Sequence, residues 1–237
     1  MNPFTDSVVL ALKLIAHADA ELVRVVALSL RVSVTACVIG GLIGVLLGTW
    51  LAVTRVVFRP VAVWAVNTLL ALPSVVVGLI VYLLLSRTGP LGSLGILFTP
   101  KAMIIAQSVL VIPLFAALSR RLLMDGLDEG GDQLRSMGAS PLQSALLMLV
   151  HERLGMLTIL FTAFGRAVAE VGSVMIVGGN IEGFTRVMTT AIALETSKGD
   201  LPLALALGLV LLGVVGSVNV LIGWIHGRTA LAPEAFA

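Results

Sequence analysis

Arg120–Glu152, RRLLMDGLDEGGDQLRSMGASPLQSALLMLVHE, decides how the rest of this chain is read. It is the one long charged interval in a sequence that is otherwise almost wholly apolar. Arg120 and Arg121 close an apolar run, and Asp125, Asp128, Glu129, Asp132 and Arg135 follow. The pattern breaks at Gly138 and resumes with a second helical period. A plain connection between two membrane helices needs far fewer residues. The interval is either a solvated connector or a helix-Gly-helix element that docks a soluble partner, and the remaining sequence has to choose.

Composition sets the class. Hydrophobic residues make up 58% and charged residues 12% of the 237, where a soluble domain carries about a quarter charged. The mean hydropathy is +1.09. That length holds roughly five spans of about 20–25 residues with short connections, and leaves no room for a separate catalytic domain. A net charge of +2 gives no reason to expect nucleic acid, and the single cysteine, Cys37, excludes a disulfide framework. The fold class expected is all-α, a polytopic membrane protein.

Residues 1–21 read as an N-terminal interfacial helix, with Asp6, Lys13 and His17 on one stripe. Ala16-His17-Ala18 resembles a cleavage site, but the basic region of a signal peptide is missing. The transmembrane part is residues 22–228, with spans at about 22–53, 61–86, 101–119, 154–177 and 201–225, and a tail at 229–237. In the first span Gly40, Gly44 and Gly48 recur every four residues, either as a close-packing face or as glycine merely tolerated in lipid. Pro73 and Pro113 predict bends inside the second and third spans. Gly199-Asp200-Leu201-Pro202 is a good start for the fifth.

Arg55, Arg59, Arg120, Arg121, Arg135, Arg153 and Arg228 fall on one side of this five-span arrangement, as do Trp50, Trp64 and Trp224. Lys13, Arg87, Lys101, Arg186 and Lys198 fall on the other. The positive-inside bias is slight, but with the tryptophans it makes the arginine side cytoplasmic. The N-terminus is then outside, the C-terminus inside, and the 120–152 loop in the cytoplasm.

Two places depart from lipid logic. Arg166 and Glu170 are four apart in the fourth span, so one helix face would hold both, as a structural ion pair or as part of a pathway. Beyond the Gly178-Gly179-Asn180 break, residues 178–200 are too short and polar to span, and read as a helix dipping in at the outer mouth. There Asn180, Thr185, Arg186 and Thr189 would gather donors suited to a tetrahedral oxyanion. The alternative is that the threonines satisfy their own backbone.

These residues carry a family resemblance. Anchored on Gly138, Asp132-Gln133-Leu134 and Met148-Leu149-Val150-His151 stand where permeases of type I ABC importers carry E-A-A and, after the glycine, I-x-L-P. Of that pattern the glycine and an acidic first residue are kept. GRAVAEVGSVMIVGGNIEGFTRVMTTAIALETSKGD, from Gly165, resembles the oxyanion permeases of the molybdate, tungstate and sulfate group, and most of all their tungstate branch.

The resemblance implies a homodimer of permease chains in the cytoplasmic membrane of a prokaryote. A cytoplasmic ATPase dimer would dock on the coupling loop, at Asp132, Gln133, Arg135, Gly138, Ala139 and Ser140. An extracytoplasmic binding protein would deliver the anion: tungstate, or alternatively molybdate or sulfate. Arg166, Glu170, Asn180, Thr185, Arg186 and Thr189 would lie along the translocation path. The chain has no G-x-x-x-x-G-K-[ST] phosphate loop, so ATP would be bound and hydrolysed by the partner. No cofactor and no enzymatic activity of its own are expected. A proton-coupled secondary transporter would instead show an inverted repeat between the halves. A membrane enzyme would need a cluster of His, Cys or paired carboxylates at membrane depth. Neither feature is present in the sequence.

Overall fold

The structure is a computed structural model that describes residues 3–54 and 57–230. Among these residues every regular element is helical. They run α1 (Pro3–Ala16), α2 (Ala20–Val53), α3 (Arg59–Leu70), α4 (Ser74–Leu85), a 3-10 turn at Gly92–Leu94, α5 (Pro100–Ser136), α6 (Pro141–His151), α7 (Arg153–Val168), α8 (Gly172–Gly178), α9 (Met188–Lys198) and α10 (Leu201–Ala230). Ala20–Val53, Pro100–Ser136 and Leu201–Trp224 are each long and apolar enough to cross a membrane. Counting each sharply bent pair as one span brings the number to five. Arg55, the side chain of Arg228 and the tail from 231 lie outside the described residues, as does the side chain of Asp6.

The chain forms two compact units. One gathers the chain up to Ala36 with Pro73–Gln107 and Gly165–Val218, and the other gathers Cys37–Leu72, Ser108–Phe164 and the chain from Asn219.

In the second unit the glycine spacing of α2 has one meaning. A Cβ on Gly44 would stand 2.6 Å from the Ile112 carbonyl oxygen, and one on Gly48 would stand 2.6 Å from that of Ala116. The α2 backbone lies directly on α5, and any side chain there would hit main chain. Of the two readings open in the sequence, close packing is the one realised. Here α5 keeps Pro113 inside a 37-residue helix, about 55 Å long at 1.5 Å per residue. That exceeds a hydrocarbon core of about 30 Å. The helix therefore does not end near Ser119, where the third span was expected to close: it carries its charged end on to Ser136.

In the first unit α4 and α8 meet through glycines. A Cβ on Gly78 would lie 2.8 Å from Ser173 Cα, and one on Gly172 would lie 2.9 Å from Ser74 Oγ. Two expected spans are interrupted. Residues 61–86 are not one kinked helix: α3 ends at Leu70 and α4 starts anew at Ser74. Pro73 sits in the extended region at the N-cap of α4 (φ −62°, ψ 128°). Proline denies helical geometry to the residue before it, and here that ends α3 rather than bending it. Residues 154–177 divide into α7 and α8, with a break at Ala169–Val171.

At the N-terminus α1 buries Ser7 and Ala11 and leaves Lys13 exposed together with Val9, Leu10 and Leu12, and His17 just beyond it is exposed too. Asp19 then caps α2, its Oδ1 accepting from Glu21 N at 3.0 Å and Leu22 N at 3.1 Å.

The glycine contact predicts a measurable asymmetry. Gly48→Val should overpack the α2–α5 seam and lower the melting temperature of the detergent-solubilised protein, by about 1–3 kcal/mol of stability or more. Gly208→Ala, where a Cβ meets nothing within 4 Å of this chain, should cause no loss. Equal melting curves for Gly48→Val and wild type would contradict the contact.

Candidate functional site

Two regions hold the residues singled out in the sequence. The first is the junction of α5 and α6. Gly138 takes φ +87°, a left-handed geometry that favours glycine. Around it Gly138 N donates to Arg135 O at 2.9 Å and Ala139 N to Leu134 O at 3.0 Å. This is the Schellman pattern of a helix stop. Two residues later Ser140 starts α6. Its Oγ accepts from Gln143 N at 3.4 Å, and Gln143 Oε1 accepts from Ser140 N at 2.9 Å. With Pro141 at the first helical position, Met137–Gln143 encodes both stop and restart. The capping box was present in the sequence, and S-P-L-Q was the signal for it.

The junction folds α6 back against α5. Gly126 makes the approach possible, since a Cβ there would lie 2.9 Å from Met148 Sδ. Ser144, Ala145 and Met148 form the buried face of α6. Its opposite face leaves Leu142, Leu146, Leu147 and Val150 exposed, with Met137 at the hinge 78% exposed. Asp132, Gln133, Arg135 and Ser140 are exposed too, Ala139 partly so. The Asp132–Arg135 pair at 3.0 Å is open to water and contributes little. Charge drew attention to the end of α5, whereas the apolar outer face of α6 was not recognised from the sequence.

The second region is the interrupted stretch from Arg166 to Lys198. Because α7 stops at Val168, Arg166 and Glu170 do not share a helix face, and among the described residues they form no ion pair. The expected pair is replaced by two separate roles. Glu170 Oε1 accepts from Ser173 N at 3.1 Å and so caps α8, while Arg166 is exposed on this chain. Nearby Gln107 Nε2 donates to Ala167 O at 2.9 Å across to α7. The Gln107 Oε1 and Ser173 Oγ atoms are buried with no partner among the described residues. Gln107, a lone amide in the apolar run of α5, was the overlooked signal.

Beyond Gly179 (φ +70°) and Asn180 (φ +50°) the chain turns back on itself. Thr185 is 1% exposed. Its hydroxyl donates to Gly178 O at 2.6 Å and accepts from Ile181 N at 2.9 Å. Thr189 donates to Glu170 O at 2.7 Å, Asn180 Nδ2 donates to Thr190 O at 3.3 Å, and Thr190 Oγ accepts from Val187 N at 3.2 Å to open α9. Arg186 is buried between carboxylates, 3.1 Å from Glu21, 3.4 Å from Glu182 and 3.8 Å from Glu195. Glu195 also holds Lys198 at 2.9 Å. The threonine hydroxyls, the Asn180 amide nitrogen and the terminal nitrogens of Arg186 are thus taken up by backbone and carboxylate in this conformation, whereas Arg186 Nε is buried with no partner among the described residues. The physical reason is proximity: threonine finds its own neighbouring backbone first.

The buried cluster makes its own prediction. Arg186→Gln should leave Glu195, 5% exposed, with Lys198 as its remaining cation. The loss should be roughly 3–5 kcal/mol of stability, read as a large drop in melting temperature. A melting temperature within error of wild type would mean that the cluster is open to water.

No family model matches the chain, but individual proteins do. It is 40% identical over 212 residues to the tungstate uptake system permease protein TupB of Peptoclostridium acidaminophilum, covering 90% of this chain and 93% of that one. It is 39% identical over 213 residues to a probable anion ABC transporter permease protein of Haloferax volcanii, covering 88% of this chain and 92% of the other. In three dimensions it resembles a chain of the MetNI methionine ABC transporter in an inward-facing form, with a TM-score of 0.68 at 18% identity over 86% of this chain and 96% of that one. The last likeness establishes the fold, and the first two span the α5–α6 junction and the interrupted stretch alike. The chain belongs to the family of anion ABC transporter permeases that includes the tungstate uptake permeases.

Proposed function

We propose that two copies of this chain form the membrane pathway of an importer for a tetrahedral oxyanion, with tungstate as its cargo. ATP is hydrolysed by a separate cytoplasmic subunit, and an extracytoplasmic protein delivers the anion. The chain itself is a translocation subunit and needs no cofactor. The observation that carries this reading is α6: a short helix behind a glycine hinge, with Leu142, Leu146, Leu147 and Val150 exposed beyond a polar helix end. Apolar side chains at that spacing form the helix face that enters a groove on a partner protein.

The same reading puts the 120–152 loop in the cytoplasm, the N-terminus outside and the C-terminus inside. In the pathway Arg166 takes the larger part. An arginine at membrane depth costs about 2.5–3.5 kcal/mol on insertion scales, so it belongs against water or protein. Released from Glu170, its guanidinium is available to an oxyanion. Thr185, Asn180 and Thr189 shape the outer gate by holding its backbone, and Arg186 by holding the carboxylates around it, rather than by touching cargo in this state. A site of few contacts suits a permease, which must release what it receives.

The test is tungstate uptake into proteoliposomes holding the permease, its ATPase and its binding protein. ATP-dependent uptake by the full set and none without the ATPase is expected. Uptake by this chain alone would overturn the reading. Gly138→Val forces a β-branched residue into a left-handed geometry. It should abolish substrate-stimulated ATP hydrolysis or release the ATPase on purification, and full coupling in that variant would rule out the hinge. Arg166→Gln should leave the melting temperature unchanged and reduce uptake at least about tenfold, the factor of one charge-assisted hydrogen bond. Normal uptake would remove Arg166 from the path.

A further inference from the structure

In the second unit α2, α5 and α7 enclose an open groove of about 830 Å³. Leu42 and Leu46 of α2 and Leu157 and Leu160 of α7 form its walls, and the Phe115 ring of α5 its floor. A Cβ on Gly41 would stand 3.2 Å from Phe115 Cζ, so glycine there leaves the floor open. Among the described residues the one charged group in the lining is Arg153, at the start of α7. We propose that the groove holds an acyl chain of an anionic phospholipid of the cytoplasmic leaflet, with the lipid phosphate on the Arg153 guanidinium.

Three observations carry this, together with the orientation and the Arg166 role proposed above. The first is charge. Arg153 is exposed and makes no hydrogen bond or ion pair among the described residues. Its neighbour Glu152 turns away: the carboxylate Oε1 lies 3.6 Å from where a Cβ of Gly126 would be, in a separate recess with Glu129 and His151. Asp125 is taken by Arg121 at 4.0 Å, and no acidic residue stands between Glu21 and Asp125. The groove therefore keeps one uncompensated positive charge. Basic sites between helices at the cytoplasmic surface take anionic headgroups.

The second is length. Along α2 the groove runs from Cys37, the middle of that helix, to Leu46, about 14 Å at 1.5 Å per residue. One leaflet of a hydrocarbon core of about 30 Å is about 15 Å deep. Gly48 of α2 and Gly155 of α7 meet α5 within one turn of each other, at Ser119 and Leu122. Arg153 thus stands at the Leu46 end, at headgroup level, while the Cys37 end reaches the midplane. The third is direction. On α7, Arg166 lies about 140° around the helix from Arg153 at 100° per residue. With Arg166 turned to the pathway, the groove faces outward to lipid. An occupant there touches α2, α5 and α7 together.

The test measures lipid binding to the delipidated complex of permease and ATPase by native mass spectrometry, with phosphatidylglycerol and phosphatidylcholine titrated separately. Wild type should prefer phosphatidylglycerol about tenfold, the worth of one charge-assisted hydrogen bond. Arg153→Gln should remove that preference and leave phosphatidylcholine binding unchanged. Arg153→Lys should keep part of it, and Arg121→Gln, a control at the same membrane surface, should keep all of it. Leu157→Trp fills the groove and should weaken both lipids. No preference in wild type, or the same preference in Arg153→Gln, overturns the proposal, since Arg153 then only reaches water. A disulfide between two copies through Leu157→Cys, in a Cys37→Ala background, overturns it too, because the groove is then a contact between copies. The Arg153 variants alter an exposed side chain and keep the test decisive if Leu157→Trp fails to fold. Tungstate uptake is followed in parallel: ATP-dependent uptake without lipid preference sinks this inference alone, and lipid preference without uptake sinks the importer reading alone.

Discussion

Every interruption of a helix in an apolar chain leaves backbone groups that lipid cannot satisfy, and this structure is arranged around closing them. Asp19 caps α2, Glu170 caps α8, and Ser140 with Gln143 caps α6. Thr185 takes the Gly178 carbonyl, Thr189 the Glu170 carbonyl and Asn180 the Thr190 carbonyl. Even between helices the rule holds: Met188 N at the head of α9 donates to Ser29 Oγ on α2 at 2.7 Å. The polar residues of the interrupted stretch are first of all the means by which a broken span can exist.

Closing the breaks requires close approach, and glycine provides it. Gly44 and Gly48 let α2 lie on α5, Gly78 and Gly172 let α4 meet α8, and Gly126 admits Met148 against α5. A rigid seam between α2 and α5 gives the charged end of α5 a firm base. The hinge at Gly138 and the apolar face of α6 are then carried on a long, continuous lever.

Function and site were not equally legible. The helix-Gly-helix junction could be read directly, because Gly138, Ser140, Pro141 and Gln143 act on their own backbone within a few residues. The α2 and α10 spans could be read too, since an unbroken apolar run of more than 20 residues has few alternatives. Arg166 and Glu170 misled because a four-residue spacing implies contact only if the helix continues, and here it stops between them. Thr185, Arg186 and Thr189 looked like an anion site because their chemistry fits one. Where their donors point depends on Glu21, more than 160 residues away in the chain, and on carbonyls exposed by the break.

By itself the sequence determined that this is an all-helical membrane protein with a polar helix-Gly-helix interval, and its motifs carried the family. Those features follow from composition and local rules, which act within a few turns of helix. Only the tertiary structure decided that the glycine ladder of α2 is a contact, that Pro73 ends a helix while Pro113 rides inside one, and that Arg186 is buried among carboxylates while Arg166 is free of Glu170. Each of these depends on which backbone lies opposite, and no window of sequence contains that neighbour.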